Sequence, residues 1–173
     1  MTLTLRTARL VLRPPEARDF EAWATLDADE TAMRFIGGHC GRNRSWEGLA
    51  VAAGMWPLRG CGLFSVLEAD GGRWIGRVGP WLPEGAIGTE VGWALDRSAW
   101  GCGYAVEAAR AAIGWAFETL GWSDVIHCID ERNQPSIAVA ERLGSRRLRA
   151  DVDDGKPVEV YGQSREDWIR RDL

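Results

Sequence analysis

The sequence predicts an α/β fold with a mixed β-sheet, and three observations lead to this prediction. Short β-rich runs follow one another across turn residues, which indicates hairpins. Longer segments between them carry apolar residues at helical spacing. The resulting order is strand, helices, three strands, helix, strand, helix and a final strand pair, which is typical of the α/β class. Because the 173 residues contain no repeat and no linker-like segment, we expect one domain over residues 1–173.

The N-terminal third predicts one strand and two helices. Apolar and polar residues alternate over residues 3–12, and a proline pair ends this strand. Residues 15–30 begin with proline and early acids, which favours an amphipathic helix. After a polar, glycine-rich stretch over residues 36–44, the spacing predicts a helix over residues 45–56 with Ser45 as its N-cap.

The middle of the chain predicts three strands in succession. Residues 61–69 and 74–82 are β-rich runs on either side of an Asp-Gly-Gly turn, so they form a hairpin. A third strand follows over residues 86–95, and one of its faces carries only glycine, alanine and Glu90. Glycines at this density indicate a bulge or a place where a ligand or another backbone comes close.

The C-terminal half predicts two helices that alternate with strands. A long helix with a stripe of small residues begins near Gly103, and Gly121 ends it. The remaining elements are a strand over 123–130, a helix over 137–143 ended by Gly144, a strand pair over 146–150 and 157–162 with an acidic turn at 151–155, and a short helix capped by Ser164.

Composition excludes several classes of protein and partner. Hydrophobic residues make up 46% and charged residues 27% of the chain, which is ordinary for a globular protein. The net charge is −4 without a run of Lys or Arg, so we expect neither nucleic acid nor an anionic membrane as a partner. No apolar run reaches the roughly 18 residues of a membrane span, and the first residues lack a signal core. We therefore expect a cytoplasmic enzyme.

The cysteines give no metal-binding pattern. Cys40, Cys61, Cys102 and Cys128 are widely spaced, and only two histidines are available to join them. We therefore expect free thiols and no metal site.

The most informative segment for function is the turn over residues 100–105. Gly101 and Gly103 stand at the start of the long helix, where backbone N–H groups without a partner carry the positive end of the helix dipole. Such a helix start holds a phosphate group without a lysine. The segment matches neither the dinucleotide fingerprint nor the triphosphate loop. Taken alone, the two glycines are equally consistent with a purely structural entry into the helix.

Four segments together resemble the GNAT N-acetyltransferase superfamily. Within that superfamily they are similar to the RimJ/RimL-like ribosomal-protein alanine and serine N-acetyltransferases. The segments are ARLVLRPPEARDFEAW, EVGWALDRSAWGCGYAVEAA, DERNQPSIAVAERLG and YGQSREDW, in order over roughly residues 7–168. The resemblance implies a mostly antiparallel, twisted sheet with a central splayed strand and about four flanking helices. EVGWAL corresponds to that splayed strand.

The resemblance also implies acetyl-CoA as the acyl donor and co-substrate. Its pyrophosphate would lie on the amides of the glycine turn, and its pantetheine arm would pair with the splayed strand. Asn133 corresponds to the asparagine of this branch that contacts the arm, although an Asx turn before Pro135 also explains it. The implied cofactor-binding residues are Trp93, Ala94, Leu95, Trp100, Gly101, Cys102, Gly103, Tyr104, Ala105 and Asn133.

Acetyl transfer to an amine needs a base, an oxyanion donor and a proton for the leaving thiolate. Glu90 is the candidate base, with Glu84 and Glu68 as alternatives, although a solvated glutamate at a strand edge is also consistent. A backbone N–H near Trp93 or Ala94 would hold the oxyanion. Ser136 corresponds to the branch position that protonates the thiolate, and simple N-capping of the following helix is its alternative.

These residues predict an N-acetyltransferase that acts by direct attack in a ternary complex. The resemblance to the RimJ/RimL-like branch implies the α-amine of a peptide or protein as the acceptor. The pKa of an α-amine, near 8, demands less of a base than that of lysine, near 10.4. A small-molecule amine, such as a polyamine, an aminoglycoside or an amino acid, is the first alternative. A second alternative is a non-catalytic acyl-CoA-binding module. The expected assembly is a monomer or a homodimer. Attack by Cys102 on the thioester is a further, different mechanism.

Overall fold

The computed structural model describes residues 3–171. The strands in this range are β1 Leu5–Arg6, β2 Leu10–Arg13, β3 Phe64–Glu68, β4 Trp74–Trp81, β5 Glu90–Leu95, β6 Asp124–Ile129, β7 Arg146–Asp153 and β8 Lys156–Ser164. The α-helices are α1 Phe20–Ala28, α2 Glu30–Met33, α3 Arg42–Arg59, α4 Tyr104–Thr119, α5 Gln134–Leu143 and α6 Arg165–Arg171. No helix within the described range is long and apolar enough to cross a bilayer.

The eight strands form one sheet in the order β1-β2-β3-β4-β5-β6-β8-β7. All neighbouring strands are antiparallel except β5 and β6, which are parallel. This pair is in register at one position, Glu90 with Ile126, and the two strands diverge beyond it. The prediction of a mixed, mostly antiparallel sheet with a central splayed strand is therefore confirmed.

The two faces of β5 pack against different helices. Val91 and Leu95 belong to the main core, together with Ala109 and Ile113 of α4. Ala94 points to the other face, where it joins a cluster formed by α1 and α2 residues. The predicted alternation along this strand is thus confirmed, and it gives the sheet a helical layer on each side.

Several local predictions are confirmed. The β3–β4 hairpin turns through the predicted Asp-Gly-Gly segment. Helix α4 starts directly after Gly103 and ends before Gly121, and both glycines have positive φ angles. Ser164 accepts a hydrogen bond from the N–H of Asp167 and so caps α6. Of the six helices, α2 and α6 are short, at four and seven residues, so four longer helices flank the sheet.

Several predicted boundaries are wrong, and three of them have a clear structural reason. The strand expected over 3–12 is a hairpin of β1 and β2, because the Thr7 hydroxyl accepts from the N–H of Leu10 at 2.9 Å and closes a turn. The helix expected over 15–30 is split into a 3₁₀ turn over 17–19, α1 and α2. Ser45 lies inside α3, whose N-cap is Gly41. The Ser45 hydroxyl is buried and donates to Asp27 at 2.8 Å instead.

A buried ionic network joins β2, β3 and the start of α1. Asp19 is 4% exposed and accepts from both terminal nitrogens of Arg13, at 2.6 and 2.8 Å. The same carboxylate accepts from the Ser65 hydroxyl at 2.7 Å and from the N–H of Glu16 at 2.9 Å. These bonds hold the pKa of Asp19 below its usual value against the effect of burial, which raises it. The network fixes the start of α1 against β2 and β3.

Asp19→Ala should destabilise the protein strongly, because it leaves the Arg13 guanidinium buried without its carboxylate. We expect a loss of about 3–5 kcal/mol in the free energy of unfolding, measured by urea denaturation. Asp70→Ala, in the exposed hairpin turn, is the control and should change this free energy by less than about 0.5 kcal/mol. Equal stability of the two variants would contradict the anchoring role of the network.

Candidate active site

A cleft of about 480 Å³ opens where β5 and β6 diverge. Its walls come from β5, β6 and the loop after it, α5, the β7–β8 hairpin and the α1–α2 side of the sheet. The predicted site residues in these walls are Glu90, Trp93, Ala94, Asn133 and Ser136. The structure therefore brings the two candidate catalytic side chains to one cavity, from elements far apart in sequence.

The predicted phosphate-binding residues do not line this cleft. Leu95, Trp100, Gly101, Cys102, Gly103, Tyr104 and Ala105 lie outside its walls. They form the end of β5 and the start of α4, and the indole N–H of Trp100 joins the two by donating to the Leu95 carbonyl at 2.9 Å. Cys102 is exposed in this turn and is likewise absent from the cleft walls, which leaves nucleophilic attack by its thiol without geometric support.

The start of α4 has the geometry of an anion site. Gly101 and Gly103 adopt φ angles of 73° and 79°, which favour glycine. The Glu107 N–H is the first to bond within the helix, to the Gly103 carbonyl, so the preceding N–H groups of the first turn have no helical acceptor. No side chain caps Gly103. This arrangement fits a pyrophosphate group.

Arg9 is a residue at this turn that sequence reasoning missed. Its guanidinium donates to the Cys102 carbonyl at 3.0 Å and lies 4.6 Å from the centroid of the Tyr104 ring. It also pairs with Glu107 at 2.6 Å. No local pattern connects it to the turn, because 93 positions separate Arg9 from Cys102. The arginine that contacts the turn therefore comes from the N-terminal part of the chain, and Glu107 of α4 offsets its charge.

One edge of β5 faces the opening rather than another strand. The Val91 carbonyl accepts a hydrogen bond from the His127 ring, and the Leu95 carbonyl accepts one from Trp100. Because main-chain direction alternates along a strand, the N–H and C=O of Trp93 point to the same open edge. Those of Ala94 point towards β4, where Ala94 is in register with Arg77. Trp93 is thus the predicted position whose main chain best fits an added ligand strand.

Glu90 has an environment that suits a base. Burial raises its pKa to about 7, reinforced by the charge of Asp153 and opposed by a hydrogen bond from the Cys128 N–H at 3.4 Å. A carboxylate with this pKa accepts a proton near neutral pH. The alternatives Glu84 and Glu68 lie outside the cleft walls, and each pairs with an arginine.

Ser136 and Asn133 lie at the start of α5. The Asn133 carboxamide oxygen caps the helix by accepting from the Ser136 N–H at 3.3 Å, so the predicted Asx turn is present. Ser136 is inside the first turn and is not the N-cap. Its hydroxyl accepts from the indole N–H of Trp93 at 3.3 Å. The N-capping explanation for Ser136 is therefore wrong, and its side chain faces the cleft.

Sequence reasoning missed the polar residues that other elements bring to the cleft. The carboxylate oxygens of Glu90 and Asp153 and the sulfur of Cys128 lie within 4.8 Å of one another. This is close enough for one metal ion to contact all three. Burial and the Glu90 carboxylate raise the pKa of Cys128 to about 12, so it stays a thiol. The acidic turn predicted over 151–155 is shorter than expected, because β7 extends to Asp153, which lines the cleft. Arg77 and Asp27 also line the cleft, and they pair at 2.7 Å.

A splayed parallel strand pair with an open edge, next to a helix start with unbonded amides, fits the acyl-CoA-dependent acetyltransferase that the sequence resemblance implies. The chain belongs to the GNAT family, since the family model described as "Acetyltransferase (GNAT) domain" matches residues 9–146.

Relatives and solved structures agree with this assignment. The chain is 30% identical to the protein YkkB of Bacillus subtilis, over 91% of this chain and 93% of that protein. It is also 30% identical to the FsC-acetyl coenzyme A-N(2)-transacetylase of Aspergillus fumigatus, over 96% and 78% of the two chains. The crystal structure of an acetyltransferase from Agrobacterium tumefaciens is similar with a TM-score of 0.87 and 32% identity, covering 95% and 96%. RimL, a ribosomal L7/L12 alpha-N-protein acetyltransferase, shares the fold with a TM-score of 0.78 at 15% identity, covering 95% of each chain.

Glu90→Gln should lower kcat/KM by at least about tenfold, because the amine loses its proton acceptor. In the wild type, kcat/KM should rise with pH through about 7 as Glu90 ionises. This rise should be absent from the pH–rate profile of the variant. Glu84→Gln, which removes an exposed carboxylate outside the cleft, is the matched control. If kcat/KM of Glu90→Gln rises with pH as it does in the wild type, another group is the base.

The same substitution should stabilise the fold at alkaline pH. Because the folded-state pKa of Glu90 is about 7 and lies above its ordinary value of 4.5, the wild type loses stability as pH rises through this window. Glu90→Gln avoids the buried charge, so it should melt higher than the wild type at about pH 8. A gain of about 1 kcal/mol corresponds to roughly 2–4 °C for a chain of this size. A lower melting temperature at this pH would contradict the raised pKa.

Gly103→Ala should weaken binding of coenzyme A by about tenfold or more, because an L-residue at φ 79° shifts the first amides of α4. Gly85→Ala is the matched control, since Gly85 has a φ of 80° but lies far from α4 in sequence, in the loop before β5. Titration calorimetry measures both affinities. If the two variants bind coenzyme A equally well, the α4 amides do not hold its phosphates.

Proposed function

We propose that this protein acetylates the α-amine of a peptide or protein N-terminus by direct attack on acetyl-CoA in a ternary complex. The observation that carries the proposal is the meeting of Glu90 and Ser136 in one cleft, beside the open edge at Trp93. The proposal treats residues 1–173 as one acetyltransferase domain. A cytoplasmic location and a monomeric or homodimeric state stay predictions from the sequence.

The proposed chemistry divides the work between four groups. Bound acetyl-CoA supplies the thioester, with its pyrophosphate at the α4 amides and its arm along Trp93. The acceptor ammonium first releases one proton to water, and Glu90 accepts a second proton from the neutral amine as the new C–N bond forms. The N–H of Trp93 faces the carbonyl oxygen that becomes negative. The C–S bond then breaks, and the Ser136 hydroxyl passes a proton to the sulfur and regains one from water. No step requires a metal ion.

The charge of the cleft supports a cationic acceptor. Its walls contain five carboxyl groups and two basic side chains. The carboxyl groups belong to Asp27, Glu90, Asp130, Asp153 and Asp154, and the basic groups to Arg77 and Lys156. Asp27 and Asp130 are neutralised by arginine partners, whereas Glu90 has the charge of Asp153 beside it, which raises the pKa of Glu90. A protonated amine is attracted to this potential before it loses its proton.

Two candidate acceptors have support. The peptide N-terminus is favoured by the shared fold with RimL and by the four segments that resemble the RimJ/RimL-like branch. A small-molecule amine is favoured by the 30% identity to a protein named as an FsC transacetylase acting at N(2). Each proposed acceptor offers a primary amine, so the same base would serve either one.

A panel of acceptors should separate the two candidates. We expect free coenzyme A to be released fastest with peptides whose N-terminus is unblocked, measured with a thiol reagent against polyamines, aminoglycosides and amino acids. Turnover with small amines alone would exclude the peptide acceptor.

Ser136→Ala should lower kcat by about tenfold or more, whereas Ser123→Ala, at an exposed hydroxyl outside the cleft, should not.

A further inference from the structure

Two side chains bridge the gap that the diverging strands leave open. His127 of β6 reaches across to the Val91 carbonyl of β5, with 2.7 Å between Nδ1 and the oxygen. Trp93 of β5 reaches across to Ser136 of α5, with 3.3 Å between Nε1 and Oγ. The two rings contact each other, with 4.8 Å between centroids and 54° between planes. They therefore form one connected unit in the splay.

The orientation of His127 is fixed from both sides. A carbonyl oxygen only accepts, so Nδ1 carries the proton and donates to Val91. Nε2 then accepts from the Ser145 hydroxyl at 3.0 Å, and that hydroxyl accepts from the Gln163 side chain at 3.1 Å. The ring is 1% exposed, and burial lowers its pKa to about 4, so it stays neutral near pH 7. A rotation of the ring would break both hydrogen bonds.

The contact between His127 and Trp93 transmits this fixed position to the cleft. The indole packs on a ring that cannot rotate, and its only N–H is directed at Ser136. Because the Ser136 oxygen accepts from the indole, the hydroxyl proton has to point elsewhere. The remaining directions include the cleft, whose wall Ser136 lines.

We propose that His127 and Trp93 are a positioning pair, in which His127 holds the indole of Trp93 and the indole N–H orients the Ser136 hydroxyl towards the leaving sulfur. This inference rests on the proposed function, because it gives Ser136 the role of proton donor. It assigns to the Trp93 side chain a role separate from its main chain at the open edge. It also gives a buried histidine a part in the reaction without any proton transfer.

The first test is a double-mutant cycle between Trp93 and Ser136. Trp93→Phe keeps an aromatic ring on His127 but removes the N–H, so kcat should fall about tenfold while KM for acetyl-CoA stays within about twofold. In the Ser136→Ala background the same change should have little further effect on kcat, because the hydroxyl that the indole orients is gone. A purely structural role of the indole predicts equal losses in both backgrounds.

Trp168→Phe is the matched control. This residue also packs against an aromatic ring, Phe117, at 5.9 Å between centroids, but it lies outside the cleft. Its substitution removes an indole N–H of the same kind and should leave kcat unchanged. A comparable loss in Trp168→Phe would mean that the effect at position 93 reports general stability and would overturn the inference.

The second test addresses His127 and uses a conservative variant. His127→Gln keeps an N–H that can donate to the Val91 carbonyl, whereas His127→Leu removes it. We expect His127→Leu to lose kcat about tenfold, and His127→Gln to recover part of that loss. In an NMR spectrum with labelled indoles, the Trp93 N–H resonance should shift in His127→Leu and in Ser136→Ala, while that of Trp168 should not. An unmoved Trp93 resonance in both variants would overturn the inference.

The outcomes for the two levels of proposal are distinct. A wild-type protein that binds acetyl-CoA but acetylates no amine in the panel would overturn the proposed function. An active wild type whose kcat is unaffected by Trp93→Phe, or in which the losses at positions 93 and 136 add, would overturn the positioning pair alone.

Discussion

The divergence of β5 from β6 is the constraint on which the site depends. Two parallel neighbours that are in register at Glu90 and Ile126 leave the following main-chain groups without a strand partner. Buried polar groups of a backbone must be paired, so side chains take over. His127 bonds the Val91 carbonyl and Trp100 bonds the Leu95 carbonyl. What is left between them is the edge at Trp93, which a ligand strand can use.

The same divergence sets the electrostatics of the cleft. Glu90 stands at the point where the strands separate, so it is withdrawn from water yet faces the cavity. Arg77 is the cation on its wall of the sheet, but Asp27 neutralises it at 2.7 Å. Glu90 is left with Asp153 as its charged neighbour. Burial and the charge of Asp153 both raise the pKa of Glu90. A carboxylate in this state is a base near pH 7 rather than a permanent anion.

Local signals were sufficient where neighbours in sequence decide the structure. Turn chemistry predicted the β3–β4 hairpin, glycines predicted both ends of α4, and alternation predicted the two faces of β5. Local signals failed where a distant partner competed. Ser45 looks like an N-cap, but a buried carboxylate 18 positions away takes its hydroxyl. The predicted base and the predicted proton donor to the thiolate stay hypotheses with alternatives, because the reactivity of each group depends on the residues that surround it.

The sequence by itself determined the fold class and the family, and it predicted the glycine turn as the place where an acyl donor would bind. These features depend on short-range backbone geometry and on segments that can be compared along the chain. Only the tertiary structure decided which groups share the cleft: Asp153 beside Glu90, Arg9 beside the turn, and Trp93 between His127 and Ser136. Burial, charge and hydrogen-bond direction arise from residues far apart in sequence, so no local pattern records them.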